Sequence, residues 1–541
     1  MTNKDIAGKI KLLADLMELH GENAFKVKNY ANSYLNIRKF PGNLTESTEL
    51  DIAAFPGIGK SAAAKITELI QTGKIEELDR WLDKTPEGVA EMLKIKGLGP
   101  KKVKALWDGL QLEDVAELYQ ACQENRLIAL KGFGEKTQLD IQEKLQFYFN
   151  NKGKFHFAAI EEIATELIRK LRGAFPTYGI EICGEIRRKM PVISSIEVLI
   201  NGPIDPKDLD FFTLEEESGL LLYKDIAIDI IVTDENSFLQ EVYLRSASAE
   251  FLEEMGPINS AFTSENEYFS GQNYSYVPPE YRESKAAAIK SKSGTSIDLI
   301  NETELKGVIH NHSTYSDGVN SLSEMAKEAQ NLGYSYLVIT DHSQSAFYAN
   351  GLSENKVYEQ WLEIDQLNGK NVDFTIVKGI ESDILNDGRL DYQDDILRGF
   401  EIVIASIHSN LRMDKEKATD RLIKAIENPH THILGHPTGR LLLGRKGYDI
   451  DHYKVIDACA ANFVAIELNS NPLRMDIDWT FIPYALDKGV KIAISPDAHS
   501  VSQYQFVKYG IYTARKGGLE ASECLNCMTV QELFAWADMK K

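Results

Sequence analysis

Seven short apolar runs recur through the C-terminal half at intervals of about 25 to 40 residues. They are GVIHNH (307–312), YLVITDH (336–342), FTIVKGIESD (374–383), IVIASIHSN (402–410), HILGHP (432–437), FVAIELNSN (463–471) and KIAISPDAH (491–499). Most are separated by stretches of helical period, and each ends in polar residues. Repeated strand–helix units of this size predict a parallel sheet or barrel whose strands bring their C-terminal ends to one face. Residues 155–240 differ: a helical stretch, AAIEEIATELIRKLRGAF, precedes the strands IEICG, IEVLI and IAIDIIVT, an α+β pattern. The first 150 residues carry helical periodicity broken three times by Gly-hydrophobic-Gly.

Those breaks form an internal repeat: FPGIGKSAAAKITELI (55–70), IKGLGPKKVKALW (95–107) and LKGFGEKTQLDIQEKL (130–145). Gly57 and Gly59, Gly97 and Gly99, and Gly132 and Gly134 permit a tight turn, after which a helix presents its first amides outward. With Lys60, Lys101, Lys102 and Lys136 just behind the turns, the repeats predict a sequence-independent grip on nucleic-acid phosphates.

Composition narrows the class. At 541 residues, 43% hydrophobic and 26% charged, the chain is an ordinary multidomain globular protein. The net charge of −21 opposes a nucleic-acid partner only superficially, because residues 1–150 are almost neutral and nearly all the acidity follows them. Five scattered cysteines fit a reducing compartment, and Cys524 with Cys527 lacks the further ligands that structural zinc needs. No run is long enough to cross a bilayer and the N-terminus is not a signal peptide, so the expected location is cytoplasmic, with no membrane partner.

The chemistry is expected at the seven strand ends, where His310, His312, Asp317, His342, Glu381, His408, His436, Asp497 and His499 stand. Six of the chain's 11 histidines occupy corresponding positions there, which packing alone does not explain. Mixed imidazole and carboxylate donors suit Mn, Zn or Fe, and nine donors fit two or three divalent ions. Such a cluster makes water reactive near neutral pH and binds phosphate oxygens. Arg440, Arg445 and Arg474 follow the fifth and sixth runs; substrate contact and salt bridging are both open to them. Asp383, Asp387 and Asp391 are expected to orient the loop after Glu381, while His430, His432 and His452 are incidental.

HNHSTYSDG, TDHS, KGIESDIL with DGRLDY, SIHSN, GHPTGR and SPDAHS resemble the PHP (polymerase and histidinol phosphatase) domain, and the order of segments resembles bacterial family X DNA polymerases carrying that domain at the C-terminus. The resemblance implies helix-hairpin-helix all-α domains at 1–80 (lyase-like) and 81–150 (fingers-like). An α+β nucleotidyltransferase-like palm at 151–240 and a thumb-like region with linker at 241–300 follow, the linker being Lys285–Ser296. Residues 301–541 would be a distorted α/β (β/α)7 barrel, with the nine strand-end residues as its metal ligands. It implies further that Lys65 matches the family's lyase lysine, although a solvent-facing helix lysine is the plainer reading.

In the palm, Gly184-Glu185-Ile186-Arg187-Arg188 and Ser195-Ile196-Glu197 match the family's spacing with altered chemistry. Glu185 replaces a serine, Ser195 and Glu197 replace aspartates, and only the third aspartate is retained, as Asp229. Templated synthesis is therefore not expected. Arg187 and Arg188 are left between phosphate contact and a surface role. The expected function is a DNA-binding, metal-dependent phosphoesterase, a 3′-5′ exonuclease with related end-phosphatase and abasic-site activities, acting on gapped, nicked or 3′-ended DNA. The alternatives are a working gap-filling polymerase and a small-molecule phosphatase.

Overall fold

The computed structural model describes residues 1–540 apart from 207, 208, 216–218, 259, 260 and 372. The chain divides into two compact units, Met1–Lys152 and Gly153–Lys541. Among the described residues no helix is long and apolar enough to cross a membrane.

The first unit is helical. Its three repeats are built alike. Gly57, Gly97 and Gly132 take φ of 83°, 91° and 94°, values costly for any residue with a Cβ. Gly59, Gly99 and Gly134 then cap the helices Lys60–Thr72, Pro100–Leu110 and Glu135–Asn151 with no side chain over the turn. The residue between each glycine pair, Ile58, Leu98 or Phe133, is buried and anchors the hairpin. One apolar core runs from Ile6 to Leu145.

The second unit opens with strands β1 (Phe155–His156), β2 (Ile180–Ile182), β3 (Val192–Ile193), β4 (Ile196–Ile200), β5 (Thr213–Leu214), β6 (Leu221–Tyr223) and β7 (Ile226–Val232). The larger sheet has the order β2-β4-β7-β6-β5, with β4 and β7 parallel. Helix Phe157–Ala174 contributes Phe157, Ile160, Ala164 and Leu167 to its core. Residues 243–288 have a core of their own around Tyr243, Phe251 and Phe269. The expected linker Lys285–Ser296 is instead mostly a helix, Lys285–Lys292. Ser284 caps it, and its alanines Ala287 and Ala288 are fully buried, so an apparently polar stretch has an apolar inner face.

The remaining strands are β8 (Gly307–Asn311), β9 (Tyr336–Ile339), β10 (Thr375–Asp383), β11 (Ile402–Ser406), β12 (Ile433–Leu434), β13 (Ala465–Asn469) and β14 (Ile492–Ser495). They form one parallel sheet in chain order. It nearly closes where Asn311 bridges Ala498 beyond the end of β14. Side chains of alternate residues fill the lumen: Ile309, Val338, Val377, Ile404, Ile433, Ala465 and Ala493 pack together with Leu533 and Ala537 of the terminal helix Val530–Asp538. This apolar plug occupies the end opposite the strands' C-termini.

Candidate functional site

The two-residue period that puts Val377 in the lumen also turns Gly379, Glu381 and Asp383 inward. The same parity carries Val338 to His342, Ile404 to His408, Ala465 to Glu467 and Asn469, and Ala493 to Asp497. His310 and His436 lie out of parity and reach the site through unusual backbone. His310 has φ of 66° beside a register irregularity in β8, and His436 has φ of 20°. Asp497 is also left-handed at 52°. Such conformations cost of order 1 to 3 kcal/mol each and gather at functional sites.

All nine expected donors meet in one cluster. Glu381 stands at its centre: Oε1 is 3.0 Å from His436 Nε2, 3.2 Å from His408 Nε2 and 3.3 Å from His310 Nε2, while Oε2 is 2.9 Å from His342 Nδ1. Asp497 Oδ1 lies 3.2 Å from His312 Nε2 and 3.7 Å from His310 Nε2. Asp317 Oδ1 lies 3.3 Å from His499 Nε2 and 3.7 Å from His342 Nε2. Eight of the nine fall into three overlapping groups, the donor atoms within each lying within 4.8 Å of one another: His312, Asp317, His342 and His499; His310, His312 and Asp497; His342, Glu381 and His408.

Burial alone would favour the neutral forms here, but opposite charges outweigh it. Burial pulls the His408 imidazole down, and Glu381 and Asp383 raise it to about 10. Burial likewise opposes charge on His499, which Asp317 and Asp497 raise to about 9. His312 is the exception: burial, then His499 and His342, push it down to about 3. Glu381 and Asp497 sit well below the carboxylate range, burial being overcome chiefly by His408 and His310 for the first and His310 and His312 for the second.

The donor set fits divalent cations. His310 Nε2, both ring nitrogens of His312 and Glu381 Oε2 are buried without a hydrogen bond, which is costly unless a cation takes them up. Buried carboxylates hold several donors from behind. Glu467 Oε2 lies 2.5 Å from His310 Nδ1, while its Oε1 accepts from Asn469 Nδ2 at 2.9 Å. Asp383 Oδ1 lies 2.5 Å from His408 Nδ1. Asp341 accepts from the backbone and hydroxyls of Ser313 and Ser316, fixing the turn that carries Asp317. Sequence reasoning missed Glu467 and Asp341; the available signal was an acid inside an apolar run, as in FVAIELN.

A helix-hairpin-helix domain family matches residues 1–75, a SAM-like helix-hairpin-helix tandem residues 89–146, and the PHP domain residues 309–471. The "DNA polymerase/3′-5′ exonuclease PolX" of Bacillus subtilis is 33% identical over 571 aligned positions, covering 99% of each chain. The chain belongs to the PolX family. "Probable phosphatases" of Vibrio atlanticus and Caldanaerobacter subterraneus are 31% and 30% identical, over 36% and 35% of this chain and 79% and 74% of theirs.

The arginines divide. Arg440 is consumed internally, donating to Asp478 Oδ2 at 2.6 Å, to the Arg474 carbonyl at 2.9 Å and to the Met475 carbonyl. Arg445 donates to the Gly439 carbonyl, 2.6 Å from Nη2. Arg474 faces a cluster donor, its Nε 3.6 Å from Asp497 Oδ2.

Away from the cluster, the arginines that follow Gly184 are taken up in ion pairs. Arg187 makes a two-pronged pair with Glu265 at 2.9 and 3.1 Å, and Arg188 pairs with Glu283 at 3.0 Å. Both arginines, which the sequence leaves between phosphate contact and a surface role, are engaged in ion pairs. Ser195 Oγ donates to Asp229 Oδ2 at 2.5 Å, and Glu197 lies in register beside Asp229. In the helical unit, Lys65 Nζ donates to Glu68 Oε2 at 2.8 Å and lies 3.9 Å from Glu77 Oε2. Both contacts are ion pairs within the helical unit. Lys60, Lys101 and Lys136 are exposed and Lys102 is half-buried.

Proposed function

We propose that this chain is a metal-dependent phosphoesterase that trims DNA from the 3′ end. What carries the reading is the convergence of His310, His312, Asp317, His342, Glu381, His408, His436, Asp497 and His499 on one end of the barrel. In this reading the nine hold two or three ions of Mn, Zn or Fe. When bound, such ions polarise a phosphodiester and supply reactive water. The chain's own residues set the geometry: Glu381 and Asp497 stand between neighbouring groups of imidazoles, Glu467 and Asp383 hold His310 and His408 in orientation, and Arg474 is positioned to meet a phosphate.

The substrate is gapped, nicked or 3′-ended DNA, held without regard to sequence by the three hairpins through Gly57, Gly59, Lys60, Gly97, Gly99, Lys101, Lys102, Gly132, Gly134 and Lys136. The cytoplasm is the expected place of action. Removal of a terminal 3′-phosphate by the same site is supported by the similarity of the barrel to the probable phosphatases. Polymerisation is not part of the proposal, because Ser195 and Glu185 stand where nucleotidyl transfer needs a metal-binding aspartate and a phosphate-binding serine.

The test is digestion of a 5′-labelled oligonucleotide with added Mn. The full chain is expected to shorten it, His310→Ala and Asp497→Ala are not, and primer extension with all four nucleotides should give little or no product. Intact DNA in every lane would overturn the proposal.

A further inference from the structure

Two of the most exposed large hydrophobic side chains in the chain are neighbours at the edge of the cluster. Phe347 and Tyr348 are 88% and 68% exposed, on the single 3-10 turn Phe347–Ala349 after β9. The ring of Tyr348 lies 6.2 Å from that of His342 and 6.4 Å from that of His408. Leaving adjacent aromatic rings in water forfeits the stabilisation their burial would bring, so the pair calls for a partner.

The turn is pinned to the site it borders. Ser345 Oγ donates to Asp383 Oδ2 at 2.8 Å, and Asp383 Oδ1 faces His408 Nδ1. The Ser345 amide donates to Asp391 Oδ2 at 2.7 Å, and on the far side the Leu352 amide donates to the carbonyl of His342 at 2.8 Å. Gly351 packs so closely beneath that a Cβ there would lie 1.9 Å from the Ser343 carbonyl oxygen. The aromatic pair is thus held in fixed relation to His342 and His408.

We propose that Phe347 and Tyr348 are a stacking platform for the unpaired 3′-terminal base of the strand being trimmed. The inference rests on the nuclease reading above and deepens it by giving the base of the terminal nucleotide its own seat beside the cluster. Phosphate charge belongs at the cluster, and the apolar, planar part of the same nucleotide is what an adjacent pair of exposed rings can receive. Every base has a π-face, so such a platform is indifferent to sequence, as are the hairpins. A base within a duplex must first leave its stack to use it.

The experiment uses the full chain, the Phe347→Ala/Tyr348→Ala double variant and Tyr348→Phe. The substrates are single-stranded oligonucleotides ending in a normal nucleotide, in a base-free tetrahydrofuran residue, or in 2-aminopurine. The double variant is expected to lose about tenfold or more in kcat/KM on the normal end, chiefly through KM. It should match the unmodified chain on the base-free end, and Tyr348→Phe should retain activity on both. Binding should quench the terminal 2-aminopurine with the unmodified chain and not with the double variant. Equal loss on both ends, or no loss on either, would overturn the platform. So would an unchanged quench accompanied by altered mass in solution, which would mark a self-association surface. If the unmodified chain cuts nothing, the nuclease reading fails, and the quench still decides the platform separately.

Discussion

His310 and Glu467 face each other 2.5 Å apart in the buried floor of the cluster, both completely excluded from solvent. Glu467 also accepts from the His436 amide at 3.3 Å, so one carboxylate fixes both His310 and His436. A carboxylate behind an imidazole sets its tautomer and orientation, and its loss typically weakens metal binding about 10- to 100-fold. Glu467→Gln is therefore expected to fold and to lose metal affinity on that scale by isothermal titration. Unchanged affinity would remove Glu467 from the site.

Glu265 holds two arginines at once. It pairs with Arg187 and, at 2.9 Å on both prongs, with Arg282, whose side chain is wholly buried beside Tyr243. Removing the acid leaves a buried guanidinium without its partner, which costs about 3 to 5 kcal/mol. Glu265→Ala should show that loss in urea unfolding followed by tryptophan fluorescence.

The same pair has a pH signature. Burial raises the Glu265 carboxyl, and Arg282 with Arg187 outweighs it, holding the group at about 2. Because the folded pKa is below the unfolded one, the stabilisation is complete above about 4.5 and is lost as pH falls toward about 2. Acid unfolding of Glu265→Gln, compared with the unmodified chain, should lack this component in that window.

Much of this was legible in the sequence for a physical reason. Barrel strands end on one face, so a histidine or acid closing each apolar run marks a point of convergence, and Glu381, His408 and Asp497 lie together there. The hairpins were equally plain, because Gly57, Gly97 and Gly132 do a backbone job that few other residues can. What stayed hidden depends on partners far along the chain. Arg187 is open to a phosphate or a surface role until Glu265 folds against it, 78 residues away. Glu467 looks like a misplaced acid inside an apolar strand until His310 is brought to it. Lys285–Lys292 reads as polar until its alanines find Phe251 and Tyr243.

Metal uptake should release protons. His408 and His499, held at about 10 and about 9 by neighbouring carboxylates after burial is overcome, must give up a proton to become ligands. Affinity is then expected to rise with pH from 6 to 9. Calorimetry in buffers of different ionisation enthalpy measures the protons released, and none would contradict this arrangement.

The hairpin lysines should act through charge alone. Lys60→Glu, Lys101→Glu and Lys136→Glu together are expected to weaken DNA binding similarly for unrelated sequences. They should flatten the dependence of log K on log salt by about 0.7 to 0.9 for each phosphate that is no longer neutralised. Fluorescence anisotropy at several salt concentrations measures both.

Elemental analysis of the purified full chain beside Glu381→Ala and Asp497→Ala tests the gathered cluster most directly. Two or three transition-metal equivalents per chain, falling in both variants, is the predicted result. A chain that takes up no metal, or variants that retain the full complement, would contradict it.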